Sequence, residues 1–218
     1  MKIWQKYVDL LLKGEWHIHT NYTDGASTVM EYCRQAELLE IPLIAFTEHV
    51  RRNLNYDFGQ FLADIEVARD EFDLVILSGC EAKVLPGGIL DVGSEILKEV
   101  DYPIFAFHSF PVDQEQYLLS LKAVLNDRYV SAWAHPGLFM FKNNMVLPEE
   151  DLSDILRIMK ERDILLEINA KYRLPPQEWI SLAEGFGVKT VRGSDVHLHE
   201  VLEFSSSFFY HPKNTFQV

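Results

Sequence analysis

Apolar and polar positions along this chain switch between a two-residue and a helical period, and the switching predicts strands and helices in turn. Glu15 to His19 reads as a short strand on which His17 and His19 share one face. The apolar runs Leu43 to Thr47, Leu74 to Leu77, Pro103 to Phe107, Val130 to Ala134, Leu165 to Asn169 and Thr190 to Arg192 predict further strands. Between them lie segments with a helical stripe. Thr28 to Leu39 has Ser27 or Thr28 as its cap and Glu31 in its first turn. Phe58 to Glu71 sets Phe61, Leu62, Ile65 and Ala68 on one face. Gln114 to Leu125, Glu149 to Arg162 with Pro148 near its first turn, and Pro176 to Phe186 closed by Gly187 complete the helices. Lys83 to Leu90 predicts a small hairpin around Pro86-Gly87-Gly88.

This order of about seven βα units predicts a parallel α/β fold. The mostly continuous apolar strands suit a sheet covered on both faces. A chain of 218 residues without linker, repeat or low-complexity tract is expected to form a single domain over residues 1–218.

The chemistry collects where the predicted strands end. Of the 8 histidines, His17, His19, His49, His108, His135 and His197 occupy such positions. Carboxylates accompany them: Asp24-Gly25 follows the first pair, Glu48 precedes His49, Glu81 follows an apolar run, and Asp195 stands in Ser194-Asp195-Val196-His197. Histidine and carboxylate are the ligands that hold zinc, manganese and iron. A single histidine near a strand end is more often a hydrogen-bonded structural residue, but the whole set in strand-end register argues for one polynuclear site. An open sheet would spread these ends along a line, whereas a closed barrel makes them converge at its C-terminal face. A barrel is therefore the expected architecture.

Composition narrows the partners. The formal net charge is −13, from 20 basic and 33 acidic residues, which opposes tight non-specific binding to nucleic acid. Arg51-Arg52 is the only adjacent cationic pair. Bound metals would reverse the sign locally, so an anionic substrate stays open. No apolar run approaches a membrane span. The stretch Tyr7 to Lys13 is short, broken by Asp9 and lacks a small-residue cleavage site, so no signal peptide is expected. Cys33 and Cys80 read as two reduced, packed thiols, with the cytoplasm as expected compartment.

With these residues in place, the chain resembles the PHP superfamily, named for polymerase and histidinol phosphatase. The family's opening HxHT stands as His17-Ile18-His19-Thr20, followed by Thr23-Asp24-Gly25. Its T[DE]H stands as Thr47-Glu48-His49, its glutamate after the third strand as Glu81, and its single histidines as His108 and His135-Pro136. The closing SDxH stands as Ser194-Asp195-Val196-His197. The resemblance implies a distorted (βα)₇ TIM-like barrel holding about two to three divalent transition-metal ions, zinc, manganese or iron. By motif, His17, His19, Glu81 and Asp195 would hold a first ion, at the catalytic heart. Glu81 would bridge to a second with His108 and His135, and Asp24, His49 and His197 would hold a third. Hydrolysis of a small phosphorylated substrate by metal-activated hydroxide is the implied activity. The Thr-Glu-His form looks closest to the histidinol phosphatase branch. A phosphodiesterase or exonuclease acting on nucleotides or short oligonucleotides is the alternative, and a non-catalytic metal-binding module the third reading.

Outside the motifs, Arg51, Lys83 and Lys171 are the candidate substrate-binding cations, with Arg52 and Arg173 of similar standing. Asn169 is a candidate for orienting a ligand. Glu48 precedes His49 and faces the other side of its strand, so it is expected to matter little. His199 and His211 are expected at the surface, and Trp133 with Phe139-Met140-Phe141 in packing.

Overall fold

The computed structural model describes residues 1–202; His211 lies outside them. Seven parallel strands follow one another around the molecule: β1 (Glu15–Ile18), β2 (Leu43–Val50), β3 (Val75–Leu85), β5 (Tyr102–Ala106), β6 (Ala132–Trp133), β7 (Leu165–Asn169) and β8 (Thr190–Gly193), paired in that order. A short strand β4 (Ile89–Leu90) folds back antiparallel on β3 as the expected hairpin. The connecting helices are α1 (Val29–Leu38), α2 (Phe58–Glu71), α3 (Ser94–Glu99), α4 (Gln114–Val124), α5 (Leu138–Lys142), α6 (Glu149–Glu161) and α7 (Gln177–Phe186). Together they make a distorted (βα)₇ barrel.

The distortion is at the seam between the last and first strands. β8 ends before it can pair with β1, and the segment after it closes the ring instead. Val196 bridges Ile18, with His19 N–H donating to the Val196 carbonyl at 2.8 Å and Val196 N–H to the His17 carbonyl at 3.0 Å. Below this bridge a buried ion pair spans the seam. Glu15 Oε2 lies 3.4 Å from Arg192 Nε, and both residues are at most 1% exposed. Glu15 Oε1 also accepts the N–H of Ser194 at 2.7 Å, so one carboxylate ties β1 to the start of the closing motif. The register of β1 on β2 slips between Glu15 and Ile18. Trp16 thereby joins the interior cluster at the bottom of the barrel with Trp4, Leu11, Leu43 and Tyr102, while His17 reaches toward the top.

The helices form where capping and burial agree. Thr28 Oγ1 accepts the N–H of Glu31 and Glu31 returns a bond to the Thr28 N–H, a reciprocal capping box at the start of α1. Asp57 and Asp113 cap α2 and α4 by accepting the N–H groups of Gln60 and Gln116. Two apolar layers separate the helices from the outer face of the sheet, one around Phe46, Phe61 and Ile65 and one around Phe105, Tyr117, Trp133 and Leu156. Among the described residues no helix is long and apolar enough to cross a membrane.

Several boundaries differ from the sequence expectation. β3 runs on to Leu85, since the hairpin partner β4 pairs with its end, and Glu81 therefore sits inside a strand. β6 keeps two of the five predicted residues. Helices α3 and α5, six and five residues long, are too short to show a period in the sequence. Cys33 and Cys80 are both free and buried.

The ion pair across the seam generates a stability prediction. Arg192→Met leaves Glu15 buried without its cation, a change that costs about 3 kcal/mol where a buried pair is broken from one side. Urea unfolding should show that loss with an unchanged dependence on denaturant. Wild-type stability in the variant would mean that the backbone donors to Glu15 suffice without Arg192.

Candidate metal centre

Glu81 is the centre of the C-terminal face. In register it stands beside His49 on β2 and Ile104 on β5, deep in the middle of the sheet. Its Oε1 lies 2.8 Å from His135 Nε2 and 3.6 Å from His17 Nε2. Its Oε2 lies 2.9 Å from His49 Nδ1, 3.1 Å from His108 Nε2 and 3.7 Å from His19 Nε2. No backbone alternation alone would bring five imidazoles around one carboxylate; four different strand ends, those of β1, β2, β5 and β6, do so because the barrel closes.

The other candidates surround this core. Asp195 Oδ1 is 3.4 Å from His19 Nε2 and 3.9 Å from His17 Nε2. Asp24, half exposed on the loop after β1, places Oδ2 3.4 Å from His49 Nε2 and 3.3 Å from His197 Nε2. Three sets of donor atoms lie close enough to share an ion: His17, His19 and Asp195; His49, Glu81 and His108; and His19, Asp24, His49 and His197. The structure thus brings all nine motif residues together. The groups overlap at His19 and His49, so the division into three separate ligand sets drawn from the motifs is less sharp in space.

The donor set fits divalent cations on two grounds. His19 Nδ1, His49 Nδ1 and Glu81 Oε2 are buried and without a hydrogen-bond partner, although His49 Nδ1 and Glu81 Oε2 stand 2.9 Å apart. Buried polar atoms are almost always paired, and these call for a proton or a metal cation between them. The protonation state of His19 agrees. Burial lowers His19 to about 3, so its ring is neutral and its nitrogens are available. Burial alone would raise Glu81 and Asp195; neighbouring histidines, His108 for Glu81 and His19 for Asp195, outweigh it and hold both carboxyls below the usual range.

Local backbone features hold these side chains in place. His135 (φ 30°) and Asp195 (φ 49°) adopt left-handed conformations, which cost a non-glycine residue energy and are held by the surrounding structure. A Cβ on Gly25 would fall 2.2 Å from the His19 carbonyl, so the Asp24-Gly25 turn can close over the first histidine pair only with glycine there.

Behind the candidate ligands lies a residue that the motifs did not identify. Glu167 on β7 is buried, and its Oε1 accepts the Nδ1–H of His17 at 2.6 Å. Its Oε2 accepts the backbone N–H of His135 and, at 3.2 Å, the side-chain amide of Asn169. One carboxylate thus fixes two candidate ligands, and Asn169 acts through it. Burial opposes charge on His17, but Glu167 outweighs that and raises it to about 10: the proton is held on Nδ1 and the basicity of Nε2 increases. The only sequence signal was an acidic residue in an apolar strand run, Leu165-Leu166-Glu167-Ile168.

Glu48 corrects an expectation. It does face away from the ligands, but that side is packed rather than solvated. Its Oε1 accepts the Thr20 N–H at 2.6 Å and its Oε2 the Thr23 hydroxyl, which anchors the loop carrying Asp24. Burial pushes its carboxyl up to about 7 against those bonds.

A cavity of about 260 Å³ opens above the centre, with Asp24, His49, Glu81, His108, His135, Asp195 and His197 in its floor. Phe107, Leu138, Phe139, Lys142, Lys171 and Tyr172 complete its lining. Lys171 Nζ lies 3.0 Å from Asp195 Oδ2 and 3.3 Å from His197 Nδ1. Arg51 and Lys83 do not line the cavity. The Arg51 guanidinium turns back to donate to the Val50 carbonyl at 2.6 Å, and Lys83 is carried past the floor by the β3–β4 hairpin. Arg52 approaches Asp91 at 4.0 Å. His199 bonds Ser27, and Trp133 packs in the outer layer. Phe139 does both, and Lys142 was not anticipated, because α5 itself was not.

The PHP domain family model matches residues 15–171. Over 202 residues the chain is 28% identical to a Bacillus subtilis protein named DNA polymerase/3'-5' exonuclease PolX, a match covering 88% of this chain and 35% of that protein. It is 29% identical over 198 residues to an Acetivibrio thermocellus protein named "Probable phosphatase", covering 84% of this chain and 78% of the relative. The chain therefore spans about a third of the length of the Bacillus relative and most of the second. Among solved structures, histidinol phosphate phosphatase from Lactococcus lactis, complexed with zinc, L-histidinol and phosphate, gives a TM-score of 0.68 at 18% identity. That alignment covers 90% of this chain and 93% of the other, and the likeness is one of fold.

Replacing Glu167 tests its hold on His17 and His135. Glu167→Gln keeps size but removes the charge that fixes the His17 proton, and zinc affinity should fall by about 10- to 100-fold. Competition with a fluorescent chelator reads that loss directly. Affinity equal to wild type would make Glu167 a packing residue.

Proposed function

The chain belongs to the PHP domain family and is a metal-dependent phosphoesterase, and we propose that its substrate is a small phosphate monoester. The observation that carries this reading is the shape and lining of the cavity. At about 260 Å³ it is near the lower end of small-molecule sites, and among the described residues its cationic lining is Lys142 and Lys171. A polymeric nucleic acid needs an extended basic track, whereas this chain carries a net charge of −13.

In the proposed reaction, His17, His19, Glu81 and Asp195 would hold one cation at the catalytic heart. Glu81, His108 and His135 supply the donors for a second, and Asp24, His49 and His197 for a third. Three carboxylates bring about −3 against about +6 from three divalent ions, leaving a site that attracts a phosphate dianion. When bound, the cations lower the pKa of water and stabilise charge on the phosphoryl oxygens. The protein's own part is positional. Glu167 orients His17 and the His135 backbone, and Glu48 pins the loop of Asp24. Lys171, beside Asp195 at 3.0 Å, stands where its ammonium group can turn to a phosphoryl oxygen. The apolar lining of Phe107, Leu138 and Phe139 limits water around the ester.

A diesterase or exonuclease activity is the second reading, favoured by the 28% identity to the Bacillus subtilis polymerase and exonuclease across most of this chain.

Protein purified without chelator should carry about two to three transition-metal equivalents per chain by elemental analysis. Less than one equivalent, with no uptake of added manganese or zinc, would be incompatible with a cluster. Reconstituted enzyme should hydrolyse p-nitrophenyl phosphate faster than its bis ester. A clear preference for the bis ester or for single-stranded oligonucleotides would select the second reading.

Glu81→Gln keeps shape but replaces the central anion with a neutral amide. It should fold, lose at least one metal equivalent and lose about 100-fold or more in turnover. Full metal content with near-normal kcat would remove Glu81 from the centre of the site.

A further inference from the structure

We infer that the alcohol half of the substrate carries a second anionic group, and that Lys142 recognises it. The inference rests on the monoester reading and deepens it. The charged residues lining the cavity divide into two sets. Its carboxylates, Asp24, Glu81 and Asp195, are all candidate metal ligands in the floor. Among the described residues the remaining charged side chains are Lys142 and Lys171. A cationic leaving group would find no carboxylate among them left to pair with it, and two ammonium groups facing it.

The two lysines are not equivalent. Lys171 is engaged with Asp195 at 3.0 Å and lies over the floor, where the phosphate would sit. Lys142 is the last residue of α5, exposed, with no carboxylate partner among the described residues. Both ammonium groups rest against the ring of Tyr172, Lys142 at 5.4 Å and Lys171 at 5.3 Å from its centroid. The ring faces of aromatic side chains attract cations, so Tyr172 holds a second positive charge at the rim without neutralising it as a carboxylate would. Phe107 and Phe139 also line the cavity and suit a short carbon chain between the two charged ends. The site therefore reads as phosphate below, an apolar connector, and a carboxylate or second phosphate at Lys142.

Three esters of equal reach separate the possibilities: phosphoglycolate, with a distal carboxylate; 2-hydroxyethyl phosphate, neutral; and phosphoethanolamine, cationic. Wild-type enzyme should show kcat/KM falling in that order, with the carboxylate favoured over the neutral ester by about tenfold. Lys142→Arg should keep the ratio, Lys142→Gln should collapse it, and Lys142→Glu should turn the preference toward phosphoethanolamine. Metal content and thermal unfolding of each variant, equal to wild type, place the effect at the rim. A wild-type preference for phosphoethanolamine or histidinol phosphate, or an unchanged order in Lys142→Glu, would overturn the inference while leaving a monoesterase. Failure of all the monoesters alongside hydrolysis of diesters would overturn the monoester reading and this inference with it.

Discussion

A carboxylate buried to 1% exposure and faced by five imidazoles is the constraint on which the rest of the molecule depends. An ionised carboxylate in the interior is costly unless matched by positive charge or strong donors. Around Glu81 the structure supplies neither lysine nor arginine, only histidine rings whose nitrogens are themselves lone-pair donors once neutral. Such an arrangement is unfavourable as a protein core and favourable as a cation cage. It also has to lie where many strand ends meet, which β3, flanked in parallel by β2 and β5, provides.

The supporting structure follows from holding that cage rigid. Glu167 restrains one candidate ligand through its side chain and another through its backbone, and the Glu15–Arg192 pair fixes the seam from which both His17 and the closing motif project. The left-handed backbone at His135 and Asp195 shows that these two residues are aimed by their surroundings against local preference. Glu167 is bonded by elements distant in sequence, so disturbing it propagates to two candidate ligands rather than to a single bond.

The cavity walls are made differently from its floor. Floor residues come from strand ends and adjacent turns, whereas Lys142 and Tyr172 come from the segments after β6 and β7. Such segments vary in length and composition without disturbing the barrel. A shared phosphoester chemistry in the floor is thus compatible with different leaving groups in relatives that have the same fold, which is why likeness to a histidinol phosphate phosphatase at 18% identity speaks to architecture.

Much of this was legible in the residues themselves. The alternation of apolar runs and amphipathic stretches set seven βα units in order, because burial on both faces of a parallel sheet leaves a local imprint. The motif residues were legible because ligand chemistry restricts residue type: histidine and carboxylate at successive strand ends have few other uses in common. What could not be read were features with no local signature. Glu167 looks like one acidic residue in an apolar run until the barrel brings it 2.6 Å from His17, and Glu48 looks like a residue on the far face of its strand until the Thr20–Asp24 loop packs over it. Arg51 and Lys83 were placed near the site by their distance along the chain, but a guanidinium turned onto Val50 and a strand prolonged by its hairpin carry them elsewhere. Lys142 depended on a five-residue helix too short to show a period. The local pattern determines which segments are strands and which side chains can bind a metal; only closure of the ring determines which carboxylate stands behind which histidine, because that contact joins residues 150 positions apart.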